Sequence, residues 1–317
     1  MAVNRIQFQP GMSVPQFMDL YGTEEKCEAA LEAARWPEGF RCPRCGQKEH
    51  GLVYGRRHKR YQCRQCRHQT TLTAGTVMEA TKLPLTIWFL AFYLIGQAKS
   101  STSSLALMRQ LGVNYRTAWL MHNKIIQAMS EQEEACVLHG KVQLDDAYFG
   151  GECNGGKAGR GSENKVPIVA AVSLDEDGHP IHVKVSKVKA FSFVAIADWA
   201  QSSLAQGCEV ISDGLACFRA VAEVGCIHHP TTVKGRHPKD LPEFRWINTV
   251  ISNLKTSFSG TFHALRFDKY ADRYLGAFSF RFNHRFKLEE MTDQVLQAVC
   301  LCTARPEHLL RSAELAT

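Results

Sequence analysis

Four cysteines, Cys42, Cys45, Cys63 and Cys66, stand in a C-x2-C-x17-C-x2-C frame that constrains the fold more than any other feature of the chain. Each CxxC pair presents two thiolates from one tight turn, and two pairs at this separation suit tetrahedral Zn2+. The first pair, Cys42-Pro43-Arg44-Cys45-Gly46, carries proline and glycine where a knuckle turns. Around the frame lie Arg41, Arg44, Lys48, Arg56, Arg57, Lys59, Arg60, Arg64 and Arg67, opposed by Glu49. A metal-stapled basic module of this kind is expected to touch nucleic acid, with Arg57, Lys59 and Arg60 as candidate contacts. The plainer reading is a structural zinc knob with a solvated charged surface.

A chain of 317 residues has room for two domains and a small third. With 45% hydrophobic and 22% charged residues it belongs among folded chains rather than disordered ones. A formal charge of +7 and an isoelectric point near 8.8 favour a polyanionic partner, though mildly for a protein of this size. The cysteines outside the frame (Cys27, Cys136, Cys153, Cys208, Cys217, Cys226, Cys300, Cys302) are scattered or follow apolar residues, as buried thiols in a reducing compartment do. The start, MAVNRIQFQPGM, lacks the apolar region of a signal peptide, and the longest apolar run, Ile87 to Gly96, is too short to span a bilayer. The expectation is a cytoplasmic, nucleoid-associated protein with no membrane partner.

Thr23 before Glu24 and Glu25 predicts a capped helix running to about Trp36, where Pro37 and Gly39 stop it. HQTTLTAGTVM after Cys66 reads as the closing strand of a ribbon. From Pro84, placed at a first helical position, to about Met129 the pattern is helical. Ser103 caps a second helix that ends at Leu111 and Gly112, and Asn114 caps a third with Ala118, Met121, Ile125 and Met129 on one face. Helix, short glycine turn, helix is the helix-turn-helix pattern and makes Tyr115 and Arg116 candidate DNA contacts; an αα-hairpin fits equally well. KVQLDDAYFGG then reads as a strand, KVPIVAAVSLDEDGHP with IHVKVSKV as a hairpin turning at Asp175–Gly178, and FSFVAIADWAQSSLA as a helix. CEVISDG is a strand ending on Asp213, LACFRAVAEV a helix, TTVK a brief strand, and helices fill most of the rest. A meander followed by βαβ units is the order of an RNase H-like α/β domain. The glycine-rich, basic stretch 150–165 is a candidate DNA-contacting loop, as are Arg281 and Arg285.

Carboxylates at strand ends are the candidates for chemistry. Alternation along a strand allows only one of Asp145 and Asp146 to face the side that Asp213 faces, and it does not choose between them. Acids converging from adjacent strands coordinate a divalent metal shared with phosphate oxygens.

VQLDDAYFGG, ISDGLACF and INTVISNLK followed by GTFH, together with FRCPRCG, YQCRQCRHQTTLTAGTVM and KLPLTIWFLA, resemble the insertion-sequence transposases of the ISXO type. Those bacterial enzymes couple an N-terminal zinc ribbon to a DDE-type, RNase H-like domain. The likeness runs from about residue 15 to 300 in the right order. It implies Asp145 and Asp213 as catalytic, magnesium-binding aspartates, Asn248 at the position usually held by glutamate, and Lys255 as the downstream lysine; Asp146 falls on an often acidic position that is not the metal ligand. Asn248 and Lys255, seven residues apart, share a helix face. A third acid, if one exists, would come from Glu243 or Asp240, and a helix N-cap is the plainer role for Asn248. The resemblance further implies two Mg2+ ions, with Mn2+ as a substitute, cutting and joining double-stranded DNA at element ends and target, and at least a dimer on DNA. The alternatives are a catalytically decayed zinc-ribbon DNA-binding protein, which Asn248 keeps open, and a nuclease without joining activity. The expected organisation is a helical segment (1–38), zinc ribbon (39–80), helix-turn-helix-like module (81–135), RNase H-like catalytic domain (136–302) and tail (303–317).

Overall fold

The computed structural model describes residues 9–55, 59–150, 165–231, 241–262 and 266–313. The chain divides into two units: Met1–Ala98 with Ser104–Ala128 and Phe286–Thr317, and Lys99–Ser103 with Met129–Arg285.

In the first unit, Ser13 and Gln16 form a capping box that starts α1 (Val14–Tyr21). Thr23 caps α2 (Glu24–Arg35) as its sequence predicts, accepting from the Lys26 N–H at 3.4 Å. Glu24 also accepts from the N–H groups of Leu85 and Thr86 at 2.8 and 3.1 Å, so a carboxylate from α2 caps α3 (Leu85–Gly96). Pro84 is therefore the residue before the helix, not its first member. Trp88, Phe89, Ala91, Phe92 and Ile95 bury α3 almost all round, between α2 and α9 (Met291–Leu301). The ribbon is an antiparallel sheet β1 (His50–Tyr54), β2 (Lys59–Cys63) and β3 (Gln69–Thr71), centred on fully buried Tyr61, which packs on Phe40 and Trp36. Arg35 fastens it to α2 by donating to the carbonyls of Thr71, Leu72 and Ala74. Gly112, at φ +66°, ends α4 (Ser104–Leu111), and Asn114 caps α5 (Tyr115–Glu134) through the Thr117 N–H at 2.9 Å. The face of α5 predicted to be apolar is buried at Ala118, Met121, Ile125 and Met129. A short α10 (Glu307–Ser312) follows α9.

The second unit is a five-stranded sheet in the order β6-β5-β4-β7-β8. β4 (Lys141–Phe149), β5 (Val166–Leu174) and β6 (Pro180–Lys187) form the antiparallel meander, closed by the expected turn at Asp175–Gly178. β7 (Glu209–Ser212) lies parallel to β4, and β8 (Ile227–Pro230) parallel to β7. On one face Val142, Leu144, Val169 and Ala171 pack against Ile196 and Trp199 of α6 (Phe193–Ser203) and against Phe218 and Val221. The other face carries α7 (Arg245–Thr261) and α8 (Phe267–Asn283). This is the RNase H-like architecture, and the chain as a whole is a zinc ribbon and helices joined to an α/β domain.

Besides the place of Pro84, two details differ from expectation. Ala216–Val224 is a 3₁₀ helix, because apolar spacings of three and one over nine residues do not distinguish a period of 3.0 from 3.6. The fifth strand is IHHP, ahead of the predicted TTVK, most of which lies outside the described residues, as does nearly all of the 150–165 loop. No described helix is long and apolar enough to cross a membrane.

Candidate functional site

The two cysteine pairs form equivalent knuckles. Cys42 and Cys63 accept from the N–H groups of Gly46 and Arg67 at 2.9 and 3.1 Å, and donate to the carbonyls of Gln47 and His68. The residue after each pair is left-handed: Gly46 at φ +74°, which suits glycine, and Arg67 at +61°, which is strained. One sulfur from each cysteine lies within 4.8 Å of the others, with Cys42–Cys66 and Cys45–Cys63 at 3.5 Å. A tetrahedron with Zn–S bonds of about 2.3 Å has edges of about 3.8 Å, so the four thiols fit zinc closely. The backbone N–H of Cys66 draws the Cys63 thiol down to about 7, towards the thiolate a metal needs. Among the described residues the remaining cysteines are free thiols, with Cys27, Cys208, Cys217, Cys226 and Cys302 buried.

In the second unit a carboxylate oxygen from each of Asp145, Asp146 and Asp213 lies within 4.8 Å of the others. Alternation predicts that only one of the adjacent pair reaches Asp213, and the register explains why both do. β7 pairs with β4 only from Lys141–Glu209 to Leu144–Ser212, whereas β5 follows β4 to Phe149. Asp213 comes directly after the last residue of β7, at the end of the strand rather than on one face of the sheet. Its Oδ1 accepts from the Leu215 N–H at 3.0 Å across Gly214, whose φ of +82° makes the turn. Asp145 accepts from the Asp146 N–H at 2.8 Å. Burial pushes the Asp145 carboxyl up to about 7, helped by the charges of Asp213 and Asp146 and opposed by the Asp146 N–H and by Lys255. A half-buried cluster of hard carboxylate oxygens that repel one another suits a divalent cation such as magnesium.

Gln143, Asp145 and Ala147 share the face of β4 that meets α7, since Gln143 Oε1 accepts from Trp246 and Ile247 of that helix. Asn248, half-buried, and Lys255, exposed, both lie in α7 two turns apart. Asn248 is inside the helix, which begins at Arg245, and is therefore not an N-cap. Glu243 sits in the 3₁₀ turn Pro242–Phe244 and is not one of the clustered acids, while Asp240 is outside the described residues.

The candidate DNA contacts fare differently. Arg57 is outside the described residues. Lys59 is held by Glu32 at 2.9 Å and lies over the Tyr61 ring, whereas Arg60 is exposed. Tyr115 is 53% exposed at the start of α5. Arg116 pairs with Glu307 at 2.9 Å, a solvent-screened surface contact that leaves the guanidinium exchangeable. Arg285, expected at phosphates, spends its donors on the carbonyls of Pro180, Ile181 and Phe282 and lies over the Phe282 ring, because burial among these carbonyls satisfies it. Arg281 donates to Ser101 Oγ at 2.9 Å.

Residues 22–69 match the family described as the transposase zinc-ribbon domain of IS1595, and residues 137–283 match the ISXO2-like transposase domain. Over 219 residues the chain is 27% identical to an uncharacterized protein in transposable element ISH50 of Halobacterium salinarum, an alignment covering 63% of this chain and 71% of that relative. With the ribbon, the RNase H-like sheet and these two matches in the same order, the chain carries a transposase zinc-ribbon domain at 22–69 followed by an ISXO2-like transposase domain at 137–283.

Proposed function

We propose that the protein is an active DNA transposase. In this reading the ribbon and the helices through α5 bind the element's ends, and the acids on β4 and after β7 cut those ends and join them to target DNA. The observation that carries it is the meeting of Asp145, Asp146 and Asp213 beside Lys255's helix in a chain with both transposase domains. Asp145 and Asp213 are the metal-holding aspartates, and Asn248 offers a neutral carbonyl oxygen. The Asp146 carboxylate supplies the negative charge that Asn248 lacks, which favours activity over decay. Lys255 is a point charge for a phosphate oxygen. A magnesium ion bound by these residues would polarise the scissile phosphodiester and activate water or a DNA 3′-hydroxyl, and a second ion would complete a two-metal site. Asp145 loses its proton as the cation is taken up.

The partners are double-stranded DNA at element ends and target, engaged by Arg60, Tyr115 and Arg116, with Lys59 and Arg57 as further candidates from the sequence. At least a dimer forms on paired ends, in the cytoplasm. The five-segment organisation (1–38, 39–80, 81–135, 136–302, 303–317) is kept as part of this reading, with residues 286–302 moved to the first unit, with which they cluster. The test uses labelled end DNA and Mg2+: Asp145→Ala and Asp213→Ala should lose cleavage and joining by about a thousandfold or more while still binding ends. Asn248→Ala should be slower than Asn248→Asp. Full activity in either aspartate variant would sink the assignment.

A further inference from the structure

Helix α7 carries both Asn248 and Lys255 and follows directly on the 3₁₀ turn Pro242–Phe244, with no side-chain cap of its own. Phe244 at its N-cap position offers no side-chain hydrogen bond, and a helix leaves its first N–H groups without partners inside the helix. Arg245 N–H reaches Pro242 O through the preceding 3₁₀ turn. The next two, Trp246 and Ile247, both donate to one atom, Gln143 Oε1, at 3.1 and 2.9 Å. Convergence of two N–H donors identifies that atom as the amide oxygen. Gln143 is 3% exposed, lies on the central strand, and is two residues from Asp145 on the same face. The cap of the helix that bears Asn248 and Lys255 is thus a side chain of the strand that bears Asp145. The first unit contains the same device, where Glu24 of α2 caps α3.

We infer that Gln143 is a positioning residue, its side-chain oxygen setting α7 on β4 so that Asn248 and Lys255 meet Asp145 and Asp213. The inference rests on the reading of those four residues as the catalytic centre. Trp246 Nε1 also ties the start of α7 to Gly178 O at 2.6 Å, so without Gln143 the helix stays attached but loses its tie to β4. Lys255 is eight residues past Ile247, about 12 Å along the axis, so a tilt of about 5° moves it by about 1 Å. Misplacement on that scale costs up to about a hundredfold in rate.

The test replaces Gln143 in the full chain and reads two quantities. Gln143→Leu keeps the volume and removes the acceptor; Gln143→Glu keeps an oxygen in place; Gln143→Asn withdraws it by one carbon and serves if the leucine variant fails to fold. Hydrogen exchange at the Trp246 and Ile247 amides should accelerate at least tenfold in the leucine or asparagine variant and return towards wild type in the glutamate variant. Mg2+-dependent cleavage of end DNA should fall about ten- to a hundredfold in turnover with KM for DNA unchanged, and Gln143→Glu should recover most of it. Unchanged exchange overturns the inference, and so does accelerated exchange with undiminished turnover. If the wild-type chain itself cuts no DNA with Mg2+ while exchange responds as expected, the transposase reading fails and the cap stands as structural only, which overturns the positioning role.

Discussion

The two metal-ligand clusters of this molecule are built in opposite ways. The cysteine group comes from 25 consecutive residues, two copies of one turn, with sulfur the only donor. It has four ligands and no position left for anything else, which is the form of a structural site. The acid group draws on positions 145, 146 and 213, with 248 and 255 on a nearby helix, and supplies three clustered carboxylates to a cation that prefers six oxygens. What it leaves open is room for water and phosphate. Closed and local geometry holds a fold together, whereas open geometry assembled from distant segments is available for reaction.

The difference has consequences for stability. The largest concerns zinc: stripping it with a chelator, or Cys42→Ser, should remove on the order of 10 kcal/mol of folding free energy from the ribbon and unfold it, while the α/β unit keeps its own melting transition. A zinc-free ribbon with native amide dispersion in NMR spectra would break the contrast. The acid cluster should behave in the reverse sense, because its folded, metal-free state is penalised by charge. Asp145 has a raised folded-state value near 7 against about 3.8 unfolded, so its stabilising protonation is complete below pH 4 and is lost as pH rises to 7. Asp145→Asn in EDTA should therefore melt at the same temperature as wild type near pH 4 and be more stable by about 1–3 kcal/mol above pH 7. A difference that shrinks with rising pH would contradict the geometry. The smallest effect is expected between ribbon and α2, where a double-mutant cycle on Lys59 and Glu32 should give a coupling of about 0.5 kcal/mol, falling with salt. A coupling of several kcal/mol would show that the ribbon depends on this ion pair as well as on zinc.

The same division explains what could be read in the chain beforehand. Features set within a turn or two were legible: the knuckles, the Thr23 and Asn114 caps, the buried face of α5, the hairpin turn at Asp175–Gly178. The clustering of Asp146 with Asp213 was not, because it depends on β7 stopping at Ser212 while β4 continues, a matter of register between segments about 65 residues apart. Gln143 read as an ordinary strand residue, since a capping acceptor supplied from another element has no local signature. Arg285 read as a candidate phosphate contact; only the carbonyls around it reveal its use. Asn248 lies inside α7 rather than at its N-cap, and its chemistry is a question for the Asp and Ala variants.

The packing of α9 on α2 and α3 bears on how the molecule is made. Gly96 of α3 sits so near Met291 that a Cβ there would meet Met291 Cγ at 2.7 Å, and Gln97 Nε2 donates to Leu288 O at 2.8 Å. A ribosome delivers the partners of these contacts almost 200 residues apart, with the whole α/β unit emerging in between. The ribbon can take up its zinc early, but the apolar flank of α3 waits for its cover until α9 has been synthesised, exposed to chaperones and to other nascent chains meanwhile. The segments that carry the three acids are thus synthesised before the helix that closes the unit carrying the ribbon.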